Sequence, residues 1–143
     1  ITFDSKNDIK IKGINIKSNP FFASFQKENG GCNVLGRLFE NENFIAILVV
    51  VPADVETPKI ITLDKNGNRI DSYLVFKNVQ GDMGFYSWNF GKIFPDMKIQ
   101  YIDSTLTRKI NPEGTNEIPG TDSLSIKRSI YEITIDGKFA EIK

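Results

Sequence analysis

Histidine is absent from this chain of 143 residues, and cysteine occurs once, as Cys32. Without histidine there is no Ser-His-Asp or Cys-His catalysis, and no zinc site built on His or on several Cys. A lone cysteine forms no internal disulfide and is more often a small buried apolar residue than a nucleophile. It leaves the redox compartment open. An excess of one charge is missing as well. Lys plus Arg and Asp plus Glu number 18 each, so no basic surplus exists to neutralise phosphates, and nucleic acid is not an expected partner. No Asn-X-Ser/Thr sequon occurs, and nothing suggests eukaryotic secretion. The longest apolar run, Phe44 to Ala53, is far shorter than the roughly 20 residues that cross a bilayer as a helix. No membrane span, metal or cofactor is expected.

What is present is strand grammar. Hydrophobic residues make up 40% of the chain, 11 of them Phe, enough apolar surface to offset chain entropy and fold without staples. Lys59 to Phe76 spells a β-hairpin. Ile61 and Leu63 share one face of its first arm, Ile70, Ser72, Leu74 and Phe76 one face of the second, and Arg69, Asp71 and Tyr73 the other. Asp64-Lys65-Asn66-Gly67 between them suits a type I turn followed by a bulge. Asp136-Gly137 signals a further hairpin at the C-terminus.

Other elements follow by the same reading. Ile9 to Ile16 reads as one strand kinked at Gly13. Phe21, Ala23 and Phe25 alternate as a strand after Pro20, with a turn at 28–31. Val34 to Phe39 and the β-branched run from Phe44 to Val51 form another hairpin, the second strand being covered on both faces. Phe85 to Phe90 and the alternation of Met97, Ile99 and Tyr101 continue the pattern, with a short helical turn as an option at 89–96. In the segment from Leu124 to Ile135 the apolar parity changes, so a bulge is expected near Arg128 and Ser129. The fold class is therefore all-β, an antiparallel meander of about 9–10 strands closing as a sandwich or barrel. Residues 1–8 read as an N-terminal extension and 9–143 as a single β domain. The Pro-, Gly- and Asn-rich stretch at 111–122 reads as a mobile loop.

Four constellations are candidates for function. Asp64, Asn66, Asn68 and Asp71 superficially suit calcium, but Gly67 is out of register for an EF-hand loop and no closing Glu follows, so the turn explains them. Tyr86, Trp88 and Phe90 share one face of a strand, the arrangement of a stacking platform for sugar rings or an apolar ligand. One face of that strand must meet the core. The aromatic face is the natural candidate, so burial is the first expectation and a ligand-binding surface the second. Asp96, Asp103, Asp122 and Glu132 could supply an acid and a base only if folding brought two of them together. The charges at Lys127, Arg128 and Glu132, and at Arg108 and Lys109, read as devices that blunt exposed strands against aggregation.

Three segments carry a resemblance: Ile60-Ile-Thr-Leu-Asp-Lys-Asn-Gly-Asn-Arg-Ile-Asp-Ser-Tyr, Met97-Lys-Ile-Gln-Tyr-Ile-Asp-Ser-Thr and Tyr131-Glu-Ile-Thr-Ile-Asp-Gly-Lys-Phe. Over roughly residues 34 to 143 the chain resembles small β-rich envelope proteins and lipoproteins of Gram-negative bacteria. The likeness rests on hairpin grammar, and no activity attaches to it. It implies export to the periplasm, the outer membrane or the medium. A lipid anchor would stand upstream of Ile1, since Cys32 lies too far inside. The leading expectation is a non-catalytic extracytoplasmic binding or interaction module with a protein or glycan partner. The alternatives are a lipocalin-like carrier of a small apolar ligand and, last, a carboxylate-dependent glycan hydrolase.

Overall fold

The computed structural model describes residues 1–7, 9, 12–16, 19–28 and 32–142. Among these, ten strands build two antiparallel sheets. The smaller sheet is a plain meander of β2 (Asn33–Glu40), β3 (Ile45–Val51), β4 (Thr57–Leu63) and β5 (Arg69–Leu74). The larger runs β7 (Phe85–Ile93), β8 (Lys98–Thr107), β9 (Ser123–Ile133) and β10 (Phe139–Ile142). Its far side is completed by two short strands that share the free edge of β7. β6 (Gln80–Asp82) pairs with the first part of β7 and β1 (Thr2–Asp4) with the last. The two sheets face one another as a sandwich and do not close into a barrel. The N-terminal extension expected over 1–8 is thus partly sheet: Phe3 is buried opposite Gly91, because a free β7 edge offers backbone groups that must be paired. None of the helices among the described residues is long and apolar enough to cross a membrane.

Between the sheets lie Ala46, Leu48, Ile60, Tyr73 and Val75 from one side and Phe3, Ile93, Ile99 and Ile133 from the other. Gly91 in β7 is required by this packing, because a Cβ there would stand 2.1 Å from Val75 Cγ1. The opposite face of the smaller sheet has its own cover. Pro20–Phe22 forms a 3-10 turn and Ala23–Glu28 a short helix, α1, whose Phe25 packs with Val34, Ile47, Val49, Ile61 and Leu63. The strand expected at 21–25 is therefore helical. Asn19 caps the turn, its Oδ1 accepting from Phe21 N at 3.0 Å, and Pro20 follows at the first helical position, which is a helix start in all but length. The kinked strand expected at 9–16 reduces, in its described part, to one bridge between Ile14 and Val34. Ile11 and the residues at 29–31 lie outside the described residues.

Three turns share one geometry. Asp64 N–H donates to Asn68 O, Phe94 N–H to Lys98 O and Thr134 N–H to Lys138 O, at 2.8, 2.9 and 2.8 Å. The fourth residue of each has positive φ: Gly67 and Gly137 at 83°, and Met97 at 63°. The helical turn entertained near 89–96 is thus the end of β7 and a hairpin, with Met97 in the conformation that glycine takes elsewhere. At one corner the sheets are tied through side chains. Thr62 Oγ1 donates to Gly137 O at 2.6 Å, and Phe139 N–H donates to Asp71 Oδ2 at 3.0 Å.

The bulge expected near Arg128 is not there. β9 keeps continuous register with β8 from Ser123 against Thr107 to Glu132 against Lys98. Its first six residues are all exposed, so this half projects beyond the smaller sheet, whereas Ile133 is in the core. The apolar parity switches because Leu124 and Ile126 stand on the uncovered outer face and Tyr131 and Ile133 on the inward one, not because the backbone slips.

Candidate functional site

Alternation along β7 decides where the aromatic row stands. Ser87, Asn89, Gly91 and Ile93 are buried, whereas Tyr86, Trp88 and Phe90 are half-buried. The expectation that the aromatic face meets the core is therefore overturned. The inward face of β7 carries small and polar residues because Val75 and the 77–78 backbone press on it. Tyr86, Trp88 and Phe90 face outward on the larger sheet.

The strand register shows what surrounds them. Across β7, β8 and β9, Tyr86 stands beside Leu106 and then Leu124, Trp88 beside Ser104 and then Ile126, and Phe90 beside Ile102 and then Arg128. Leu124 is 56% exposed and Ile126 45%. Ser104, though on the outer face, is buried, its larger neighbours covering it. Farther along the face turns more polar, with Lys92 beside Gln100 and then Ile130, and Lys98 beside Glu132. One end of the face is thus an aromatic and aliphatic surface and the other is solvated. Lys6 Nζ sits 3.7 Å from the Trp88 ring centroid, a cation on a π-face at the margin of the patch.

A polar clamp fixes the Tyr86 end. Glu117 Oε1 accepts from Gly84 N–H at 2.8 Å and from Tyr86 Oη at 2.6 Å, and its Oε2 accepts from Arg108 at 2.8 Å. Arg108 also forks onto Asp122, with Nε to Oδ1 at 2.8 Å and Nη2 to Oδ2 at 3.2 Å. The bond from Arg108, joined by those from Tyr86 and the Gly84 amide, holds the Glu117 carboxyl down at about 2. The stretch at 111–122, expected to be mobile, is bonded at both ends: besides the clamp, Asn111 N–H donates to Asn116 O and Ile118 N–H to Lys109 O. Arg108, read as a charge blunting an exposed strand, and Asp122, read among the scattered carboxylates, form the clamp with Glu117.

The other candidates scatter. Asp96 pairs with exposed Lys98, and Asp103 accepts from Asn89 Nδ2 at 3.0 Å on the inward face of β8, whereas Glu132 stands on the outward face. Asp64 accepts from the Asn66 and Asn68 amides and from Asn68 Nδ2, which is the turn chemistry expected of it. Among the described residues no group of three or more His, Cys, Asp or Glu is placed to hold a metal ion. Burial raises the pKa of the Cys32 thiol, partly offset by Lys59, so Cys32 is held as a thiol.

Sequence reasoning missed Glu117 at the centre of the clamp, the aliphatic part of the patch, and one buried amide. Leu106, Leu124, Ile126 and Ile102 complete the patch; their signal was shared parity with the aromatic row, readable only once strand neighbours are known. Asn89 is that amide, fully buried, with Oδ1 accepting from Lys77 N–H at 2.8 Å and Asn78 N–H at 3.1 Å. It pins the crossover between the sheets to the inward face of β7.

Fold and site together define an all-β, sandwich-like protein with one uncovered aromatic and aliphatic sheet face. Compared with family models, curated proteins and solved structures, the chain has no match among them.

Proposed function

We propose that the chain is a non-catalytic interaction module that docks a protein partner on the outer face of its larger sheet, through Tyr86, Trp88 and Phe90. The observation that carries this reading is the outward aromatic row set among Leu106, Leu124, Ile126 and Ile102. An apolar patch of this kind on a folded surface marks an interaction site. A glycan platform would need free polar side chains around the rings to bond sugar hydroxyls; here Leu106, Leu124, Ile102 and Ile126 flank the row, Ser104 is buried, and Glu117 is already engaged by Tyr86 and Arg108. An extracytoplasmic location, which the likeness to envelope proteins would imply, is part of the same proposal.

The test is site-specific photo-crosslinking in native extracts. A crosslinker at position 126 captures a protein that one at position 127, on the opposite face, does not, and Trp88→Asp abolishes the capture. Equal capture from both faces ends the reading, and a glycan-array signal lost in Trp88→Ala would replace it with a sugar ligand.

A second reading has its own observation. The space between the sheets, where a lipocalin-like carrier would hold its cargo, is filled by side chains. Outside the smaller sheet, however, Ile14, Phe21, Phe22, Val34, Ile45 and Ile47 line an apolar groove of about 230 Å³. A small apolar ligand would bind there. Gly36 lines the groove with open space at its Cβ, so Gly36→Val is expected to displace a fluorescent fatty-acid probe; undiminished binding in that variant discards the groove.

A further inference from the structure

Three tyrosines converge on one lysine at the open corner of the sandwich. Lys77 Nζ lies 4.4 Å from the ring centroid of Tyr73, 5.0 Å from that of Tyr101 and 4.4 Å from that of Tyr131. Tyr73 comes from β5 of the smaller sheet, Tyr101 and Tyr131 from β8 and β9 of the larger, so both sheets present rings to Lys77, and the Tyr73 and Tyr131 rings also pack on each other at 4.8 Å. Phe139 of β10 stacks on Tyr73 at 5.4 Å and backs it. Several aromatic faces turned on one positive charge form a cation cage, since each ring presents its negative face.

Two features distinguish this cage from a lysine merely resting on a core. Tyr73 and Tyr101 are 5% and 8% exposed, yet the Tyr73 hydroxyl makes no hydrogen bond and that of Tyr101 has only the Asn89 amide beside it. Buried hydroxyls without partners are uncommon in a finished core. Burial pushes Tyr101 up to about 12 against the opposing pull of the Asn89 amide, so its hydroxyl keeps its proton across the physiological range. The second feature is the plug. Lys77 is itself exposed, and its ammonium has one tyrosine hydroxyl within reach, Tyr131 Oη at 3.3 Å. Its backbone is anchored by Asn89, while the side chain has a cavity of about 250 Å³ beside it, lined by Ala53, Asp54, Val55, Thr57, Phe76 and Val79. Lys77 borders both the cage and this cavity, of which Asp54 is one lining residue.

We propose that the Tyr73, Tyr101 and Tyr131 cage is a binding site for a methylated ammonium ligand, and that Lys77 occupies it in the free protein and yields it on binding. The chemistry selects that class. The cage meets its cation with ring faces more than with hydrogen-bond acceptors, which suits a charge clothed in methyl groups that has no proton to donate. The unbonded Tyr73 hydroxyl would serve an oxygen carried by the same ligand. The cage belongs to the inward face of the larger sheet, opposite the Trp88 row, and stands independently of the partner-docking reading.

Choline is the probe, followed by calorimetry and by the ring resonances of Tyr131 in the intact chain. Wild type is expected to bind saturably and Lys77→Ala about tenfold more tightly, because the resident competitor is gone. Tyr131→Phe keeps the ring face and the binding, and Tyr131→Leu loses it; unchanged thermal unfolding of both certifies their fold. The neutral isostere of choline, with tert-butyl in place of trimethylammonium, should bind far more weakly. No saturable binding by Lys77→Ala, or equal binding of the isostere, overturns the cage. Binding by Lys77→Ala with wild type silent at the same concentrations overturns the exchange and makes Lys77 a permanent plug.

Discussion

The two sheets are made by the same hairpin grammar and differ in how many of their faces are covered. In β3 five consecutive residues, Ala46 to Val50, are buried, because the larger sheet takes one face and α1 with its 3-10 turn the other. In β9 six consecutive residues, Ser123 to Arg128, are exposed, because that half of the strand reaches past its partner sheet. Both strands are rich in aliphatic residues. The difference teaches that an apolar side chain in a strand signals burial only when something stands opposite it. Where nothing does, as at Leu124 and Ile126, the same residue types make a surface.

The comparison is sharpened first in the doubly covered sheet. Ile60, fully buried between the sheets, is expected to cost about 2–5 kcal/mol as Ile60→Ala, through lost burial and a residual cavity. Denaturant unfolding measures it, and a cost below that of an exposed site would break the contrast. Next comes the contact between sheets at Gly91. Gly91→Ala is expected to destabilise by about 1–3 kcal/mol by overpacking against Val75, and Val75→Ala in the same chain is expected to recover part of that loss. Purely additive losses would mean that the two do not meet.

The clamp at the projecting end answers to pH. The folded Glu117 carboxyl sits at about 2, below its ordinary 4.5. Its contribution is therefore complete above pH 4.5 and lost as the pH falls towards 2. The amide resonance of Gly84, bonded to Glu117, should follow that titration in wild type and stay flat through the same window in Glu117→Gln. The smallest effect belongs to the uncovered face: Ile126→Ser should change stability by no more than about 0.5 kcal/mol. It should nevertheless remove partner capture, and a stability loss comparable to Ile60→Ala would show that the face is covered after all.

Local chemistry made much of the architecture legible. Asp64 and Gly67, and Asp136 and Gly137, announced their turns because a hairpin loop demands particular side-chain acceptors and positive φ at a given place. The turn at 94–98 was missed because Met97 holds the glycine position. The run at 45–51 read as doubly covered because continuous aliphatic character has no polar face to expose. The helix at 23–28 was missed because alternating Phe, Ala and Phe also satisfies a strand, and the Asn19-Pro20 start was passed over. The aromatic row was found and its orientation misjudged. Tyr86, Trp88 and Phe90 outweigh Ser87, Asn89 and Gly91 in any local measure of hydrophobicity, yet the weaker face is the buried one. Val75 needs the space at Gly91, and the backbone at Lys77 and Asn78 needs the acceptor of Asn89.

By itself the sequence determined most of the longer strands, three of the hairpins, the all-β class and the residues of the aromatic row, since period, turn chemistry and β-branching act over a few neighbours. Tertiary structure alone decided which face of each strand is inside, that the apolar parity of β9 changes without a bulge, and that tyrosines from two sheets close around Lys77. Those outcomes depend on what stands opposite across the sandwich, from residues dozens of positions away, and no window along the chain contains that information.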